Sequence, residues 1–150
     1  CKINQKLKYK NQLIFKKNIK TLSKITEIKK IRKEIEAICK TTNINNKTKL
    51  DLQLAVNEAQ ANIIEHAYLG DPNKYIYFYF SIFEDKLEII IKDNGIPLKS
   101  NSIEKKISNN LEKLEGSGLG LFLIYTLMDE INFSSTKTEN KLKLVKYNAQ

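Results

Sequence analysis

Apolar residues recur every three or four positions between residues 21 and 39, at Leu22, Ile25, Ile28, Ile31, Ile35 and Ile38. That period is helical and predicts an amphipathic helix over 21–39 with Thr21 or Ser23 as its N-cap. Ahead of it, residues 6–17 alternate weakly. Leu7, Tyr9, Leu13 and Phe15 are spaced for one face of an edge strand broken near Asn11, and the lysines between them discourage pairing with other chains. Residues 43–47 supply turn chemistry. A second helix is predicted over about 49–68, stopped by Gly70-Asp71-Pro72-Asn73. Tyr75–Phe83 and residues 87–92 are β-branched and aromatic, two strands joined by a short turn at Glu84-Asp85-Lys86. Residues 99–115 form a polar connection with weak helical spacing at Ile103, Ile107, Leu111 and Leu114. A segment of that length between a strand and a glycine turn reads as a lid or as disorder. Gly116-Ser117-Gly118-Leu119-Gly120 then opens an apolar helix reaching Asp129, and residues 131–138 and 141–147 close the chain as a hairpin around Glu139-Asn140. With no internal repeat, residues 1–150 are expected to form one domain.

The helix over 49–68 carries polar groups beside its core stripe. Leu52, Ala55, Val56, Ala59 and Ile63 line one side, and Glu58, Asn62 and His66 follow at i, i+4 and i+8 next to it. A solvated face accounts for such a row when it is taken alone. Asp93-Asn94-Gly95 at a strand end and the triplet Gly116, Gly118, Gly120 at a helix start are likewise weak one at a time, because both are common turn signals. Their order is more specific: a helix with Glu58 and Asn62, a hairpin ending in Asp93 and Gly95, a lid-length connection, then glycines opening a helix.

Composition narrows the function classes. The 150 residues are 41% hydrophobic and 29% charged, a globular balance, and no apolar run approaches the ~18 residues that cross a bilayer, so no membrane span is expected. The net charge of +9 favours acidic partners. Yet Arg32 is the only arginine, and lysines spread over every segment act as a solvating coat rather than as a direct nucleic-acid footprint, which recruits arginine forks. Cys1 and Cys39 have neither disulfide-framework nor metal-ligand spacing, which makes a reducing cytoplasm the expected compartment.

On the segments Asn57-Glu58-Ala-Gln-Ala-Asn62-Ile-Ile-Glu-His66-Ala-Tyr68, Ile91-Lys-Asp93-Asn-Gly95-Ile-Pro97 and Gly116-Ser-Gly118-Leu119-Gly120-Leu-Phe-Leu-Ile-Tyr-Thr-Leu-Met-Asp129-Glu130, the chain resembles the GHKL ATPase superfamily, and within it the anti-sigma-factor serine/threonine kinases. The resemblance implies an α+β, Bergerat-type two-layer sandwich: a mixed, mostly antiparallel sheet with helices on one face and ATP beneath a lid. It implies Mg-ATP-dependent phosphorylation of a STAS-type anti-anti-sigma protein, sequestration of a sigma factor, and a homodimer. By the same resemblance Asp93, held by the Gly95 turn, would accept from the adenine amino group, and Gly116, Gly118, Leu119 and Gly120 would bring backbone N–H groups to the phosphates. Asn62 would offer a neutral oxygen to Mg²⁺, and Glu58 would take the proton of the attacking hydroxyl. Pro97 stands where many superfamily members have a second Gly, and Asn140-Lys141 where a Gly-Thr pair is frequent. A nucleotide-responsive sequestering module and the catalytic domain of a sensor histidine kinase are the alternatives. The second lacks an upstream phosphoacceptor, since His66, the only histidine, lies inside the nucleotide helix.

Overall fold

Strict alternation in Tyr75–Phe83 sends Ile76, Phe78, Phe80 and Ile82 to one face of a strand, where all four are fully buried. The computed structural model describes residues 12–97 and 118–150. Within them this strand is β2, flanked by β1 (Leu13–Leu22) and β3 (Lys86–Asp93) in a five-stranded sheet of order β1-β2-β3-β5-β4, with β4 (Glu130–Ser135) at the far edge and β5 (Asn140–Tyr147) inserted beside β3. The sheet expected as mostly antiparallel is antiparallel in every described pairing.

Three helices cover the face that carries Ile76, Phe78, Phe80, Leu87, Ile89, Ile91 and Leu144. They are α1 (Thr26–Thr41), α2 (Asn46–Asn62) and α3 (Gly118–Leu127). Ile31, Ile35 and Ile38 of α1, Leu52, Ala55, Val56 and Ala59 of α2, and Ile124 of α3 join the sheet residues in one apolar cluster. Burying each larger side chain contributes about 1.5–3 kcal/mol, enough to fix which helix faces point inward. The other sheet face is wet and basic. Lys20 stands 4.0 Å over the Tyr75 ring and Lys92 5.4 Å over the Tyr79 ring. No helix among the described residues is long and apolar enough to cross a membrane.

Several boundaries differ from expectation. The helix expected to reach Asp129 ends at Leu127, and the strand expected over 131–138 ends at Ser135, while Asn140, expected in the turn, begins β5. β1 extends to Leu22 because its ladder with β2 runs to the pair Leu22–Tyr75, and the Ser23 N–H then donates to Lys74 O at 2.8 Å. The ladder therefore claims Thr21 and Ser23, which do not cap a helix; α1 starts at Thr26 after Ile25, whose side chain makes no cap. Residues 6–11 of the expected edge strand lie outside the described residues. The second helix begins earlier than expected, at Asn46, because the Asn45 side chain accepts from the Thr48 N–H at 2.8 Å. At its far end the helix widens into one π-helical turn, Ile63–Ala67.

Candidate functional site

Glu58 and Asn62 lie one turn apart on α2, both half-buried, on the flank where α3 packs. Close approach of α3 depends on Gly120. A Cβ there would come within 2.5 Å of the Glu58 carboxylate and 3.9 Å of the Asn62 amide nitrogen. That nitrogen is buried and has no hydrogen-bond partner among the described residues. An orphaned buried amide costs on the order of 1–3 kcal/mol and marks a position where a polar ligand has something to satisfy. A glycine at a helix start, a carboxylate and an unsatisfied carboxamide thus meet at one point. Such a place can accept an anion on backbone N–H groups and a hard cation on the amide oxygen. Among the described residues no group of three or more His, Cys, Asp or Glu forms a metal cage, so a Mg²⁺ here would take most of its shell from phosphate and water.

Asp93 ends β3 with only 4% of its surface exposed. Its Oδ1 accepts from the Gly95 N–H at 2.9 Å, closing a tight turn, and from Asn140 Nδ2 at 2.9 Å. Burial pushes its pKa above the usual carboxylate value; the bonds from Asn140 and Gly95 pull it back, and Glu139 adds repulsion. The turn is seated on the π-helical end of α2. Gly95 lies so close to the Ala67 backbone that a Cβ would fall 2.5 Å from Ala67 O, and Ala67 O accepts the Ile96 N–H at 3.0 Å. The Tyr68 hydroxyl accepts the Asn94 N–H at 2.8 Å and donates to Tyr75 O. The π turn shifts hydrogen bonding to i−5, as in Tyr68 N–H to Ile63 O at 2.9 Å, and leaves the Ala67 carbonyl to the turn.

Glu58, Asn62 and Gly120 meet directly, and Asp93 with Gly95 sits against the end of the same helix, so both clusters are built on α2 and its π-helical extension. Gly118 and Leu119 begin α3 as described backbone, whereas Gly116 and the lid over 99–115 lie outside the described residues. His66 is half-buried; its Nε2 lies 3.7 Å from Glu65 Oε2 and makes no hydrogen bond among the described residues. Arg32 is exposed, and its backbone carbonyl accepts from Gln53 Nε2 at 3.1 Å. Sequence reasoning missed Asn140 and Tyr68. Tyr68 closes the His66-Ala67-Tyr68 run and could have been singled out as an aromatic at a helix end. Asn140 acquires its role from the β3–β5 register, a non-local pairing with no local signal.

Comparison with known proteins bears on the family and the fold. A family model described as Histidine kinase-like ATPase domain matches residues 22–146. A Serine-protein kinase RsbW of Bacillus cereus and that of Bacillus thuringiensis subsp. konkukian are each 43% identical over 86 residues, 54% of this chain and 53% of theirs. The match thus spans about half the length of these curated relatives. In fold the chain is similar to a structure of the SiaB-SiaC complex from Pseudomonas aeruginosa, with a TM-score of 0.66 and 14% identity over 95% of both chains. It is also similar to the RsbU and RsbW domains of Rv1364c from Mycobacterium tuberculosis, with a TM-score of 0.65 and 14% identity over 88% of this chain and 32% of that one.

Proposed function

The chain belongs to the histidine kinase-like ATPase domain family, and from that premise we propose that it is a protein serine/threonine kinase that uses Mg-ATP and serves as an anti-sigma switch. The observation that carries this reading is the contact of Gly120 with Glu58 and Asn62. In the proposed binding mode the adenine amino group donates to Asp93, and the triphosphate lies along the N-terminal end of α3, where free N–H groups and the positive end of the helix dipole favour negative charge. Glu58 accepts the proton of a substrate serine or threonine hydroxyl as its oxygen attacks the γ-phosphorus, and the bond to the β–γ bridging oxygen breaks as ADP leaves. Asn62 would hold Mg²⁺, which when bound neutralises charge on the phosphate oxygens. The substrate is an anti-anti-sigma protein of the STAS type, the sequestered partner is a sigma factor, and the active species is a homodimer of one-domain chains in the cytoplasm. Relatives named serine-protein kinase support the reaction class.

Incubation with radiolabelled ATP and the cognate anti-anti-sigma protein tests this. Phosphate is expected on Ser or Thr of the partner, and Glu58→Gln is expected to lower transfer by about 100-fold or more, within the range of general-base effects, with partner binding retained. Absence of transfer with the true partner present, alongside intact binding, would leave a sequestering module instead.

A further inference from the structure

Asp93, Asn140 and Ser135 stand in one row across β3, β5 and β4, paired Asp93 to Asn140 and Asn140 to Ser135. Asn140 is 2% exposed. Its Nδ2 donates to Asp93 Oδ1 at 2.9 Å and to Ile96 O at 3.0 Å, and its Oδ1 accepts from Ser135 Oγ at 2.7 Å. This pattern fixes the amide orientation, because the flipped amide would set its oxygen against a carboxylate and a carbonyl. The bonds from Asn140 and from the Gly95 N–H both fall on Asp93 Oδ1. Among the described residues Oδ2 receives no hydrogen bond, and the two donors, one from the turn and one from β5, hold Oδ1.

We propose that Asn140 is a positioning and specificity residue, oriented by Ser135, that locks the Asp93 carboxylate so that Oδ2 meets the 6-amino group of a purine nucleotide. The proposal rests on the nucleotide reading above and deepens it. An ionised Oδ2 only accepts, so it pairs with a 6-amino group and repels a 6-oxo group; a protonated Asp93 could donate, and would tolerate a 6-oxo purine. Burial pushes Asp93 towards protonation, and the bond from Asn140 opposes that push. The other ionisable groups around it are Glu139, which repels its charge and is itself paired with Lys92 at 3.5 Å, and the Tyr68 hydroxyl, whose own pKa is raised chiefly by burial. Without Asn140, Asp93 takes up a proton at higher pH and the base discrimination goes with it.

The experiment measures ATP and ITP binding by calorimetry at pH 6, 7 and 8 for the wild type, Asn140→Leu, Ser135→Ala and Asp93→Asn. The wild type is expected to prefer ATP by about tenfold or more at every pH, the worth of one charge-assisted hydrogen bond. Asn140→Leu is expected to lose more of that preference than the wild type as the pH falls from 8 to 6, and Ser135→Ala to move the same way by less. Ser135→Ala also serves as the readout if Asn140→Leu fails to fold. A loss of ATP affinity in Asn140→Leu that is equal at all three pH values, or no change in either variant, overturns the positioning role while the nucleotide reading stands. A wild type indifferent between ATP and ITP, or an Asp93→Asn variant that binds ATP unchanged, overturns the nucleotide reading and this proposal with it.

Discussion

Asp93 shows how a site residue can work against the fold that holds it. Its pKa is raised because burial strips more hydration from the carboxylate than Asn140 and Gly95 replace. A carboxyl whose folded pKa lies above its unfolded value contributes stability that is complete below the unfolded value and is lost as pH rises through the folded one. Asn at this position cannot ionise, yet its oxygen can still accept from Gly95 and Asn140. Asp93→Asn is therefore expected to melt at the wild-type temperature or higher at pH 7–8, with the gap closing towards pH 4, while ATP affinity falls by about tenfold or more. Thermal melts across that pH range with calorimetry alongside check both halves; a variant less stable than the wild type at pH 8 and unchanged in affinity would contradict them. Leu69 is a second residue with a local cost. It sits at φ 52° just past the π turn, followed by Gly70 at φ 81°, and is 71% exposed. A leucine in the left-handed region is strained and here buries little in return, so Leu69→Gly is expected to raise stability by about 0.5–1 kcal/mol, measured by urea unfolding.

The elements around the site tolerate change according to what each glycine touches. A Cβ on Gly95 meets the backbone of Ala67, which cannot move without undoing the π turn and the Ile96–Ala67 hydrogen bond. A Cβ on Gly120 meets the end of the Glu58 side chain, which can swing away. Gly95→Ala is thus expected to destabilise the protein by about 2 kcal/mol or more, as overpacking against fixed atoms does. Gly120→Ala should leave stability within about 1 kcal/mol of the wild type, because alanine favours helix where glycine does not. Its cost should fall on phosphoryl transfer, since the displaced carboxylate is the proposed base. Melting curves beside phosphotransfer rates separate the two; equal destabilisation by both would mean that the Glu58 side chain is held in place and does not give way to a Cβ on Gly120. These contrasts also mark what was legible in the chain. The period of Leu52, Ala55, Val56, Ala59 and Ile63 announced the buried stripe of α2, and all five are buried. The extension of β1 to Leu22 was hidden, because a strand end decided by pairing with Tyr75 looks, in isolation, like the first turn of an amphipathic helix. The π turn was equally silent, since Ile63–Ala67 continues the helical spacing.

At the scale of the whole molecule the sheet divides the chain's duties. One face carries the core and the three helices; the other exposes lysines stacked on Tyr75 and Tyr79 and gives the basic chain a surface suited to water. The convergence of Glu58, Asn62 and Gly120 could be anticipated only from their order along the chain, because the contact itself is made by helices separated by β2 and β3. That separation has an energetic consequence. Residues on α2, on the β3 turn and at the start of α3 would grip the same nucleotide, so its binding energy should strengthen the attachment of α3 to the rest of the fold and enter global stability. A ligand that binds only the folded state at 100 times its Kd adds about 2.7 kcal/mol. For a domain of this size that corresponds to a melting temperature about 5–10 °C higher. Mg-ATP is expected to produce this shift, GTP at the same concentration little of it, and Asp93→Asn to remove most of it. Thermal unfolding followed by circular dichroism reads all three, and an equal shift with GTP would place the base outside the reach of Asp93 even if the phosphates sit on α3.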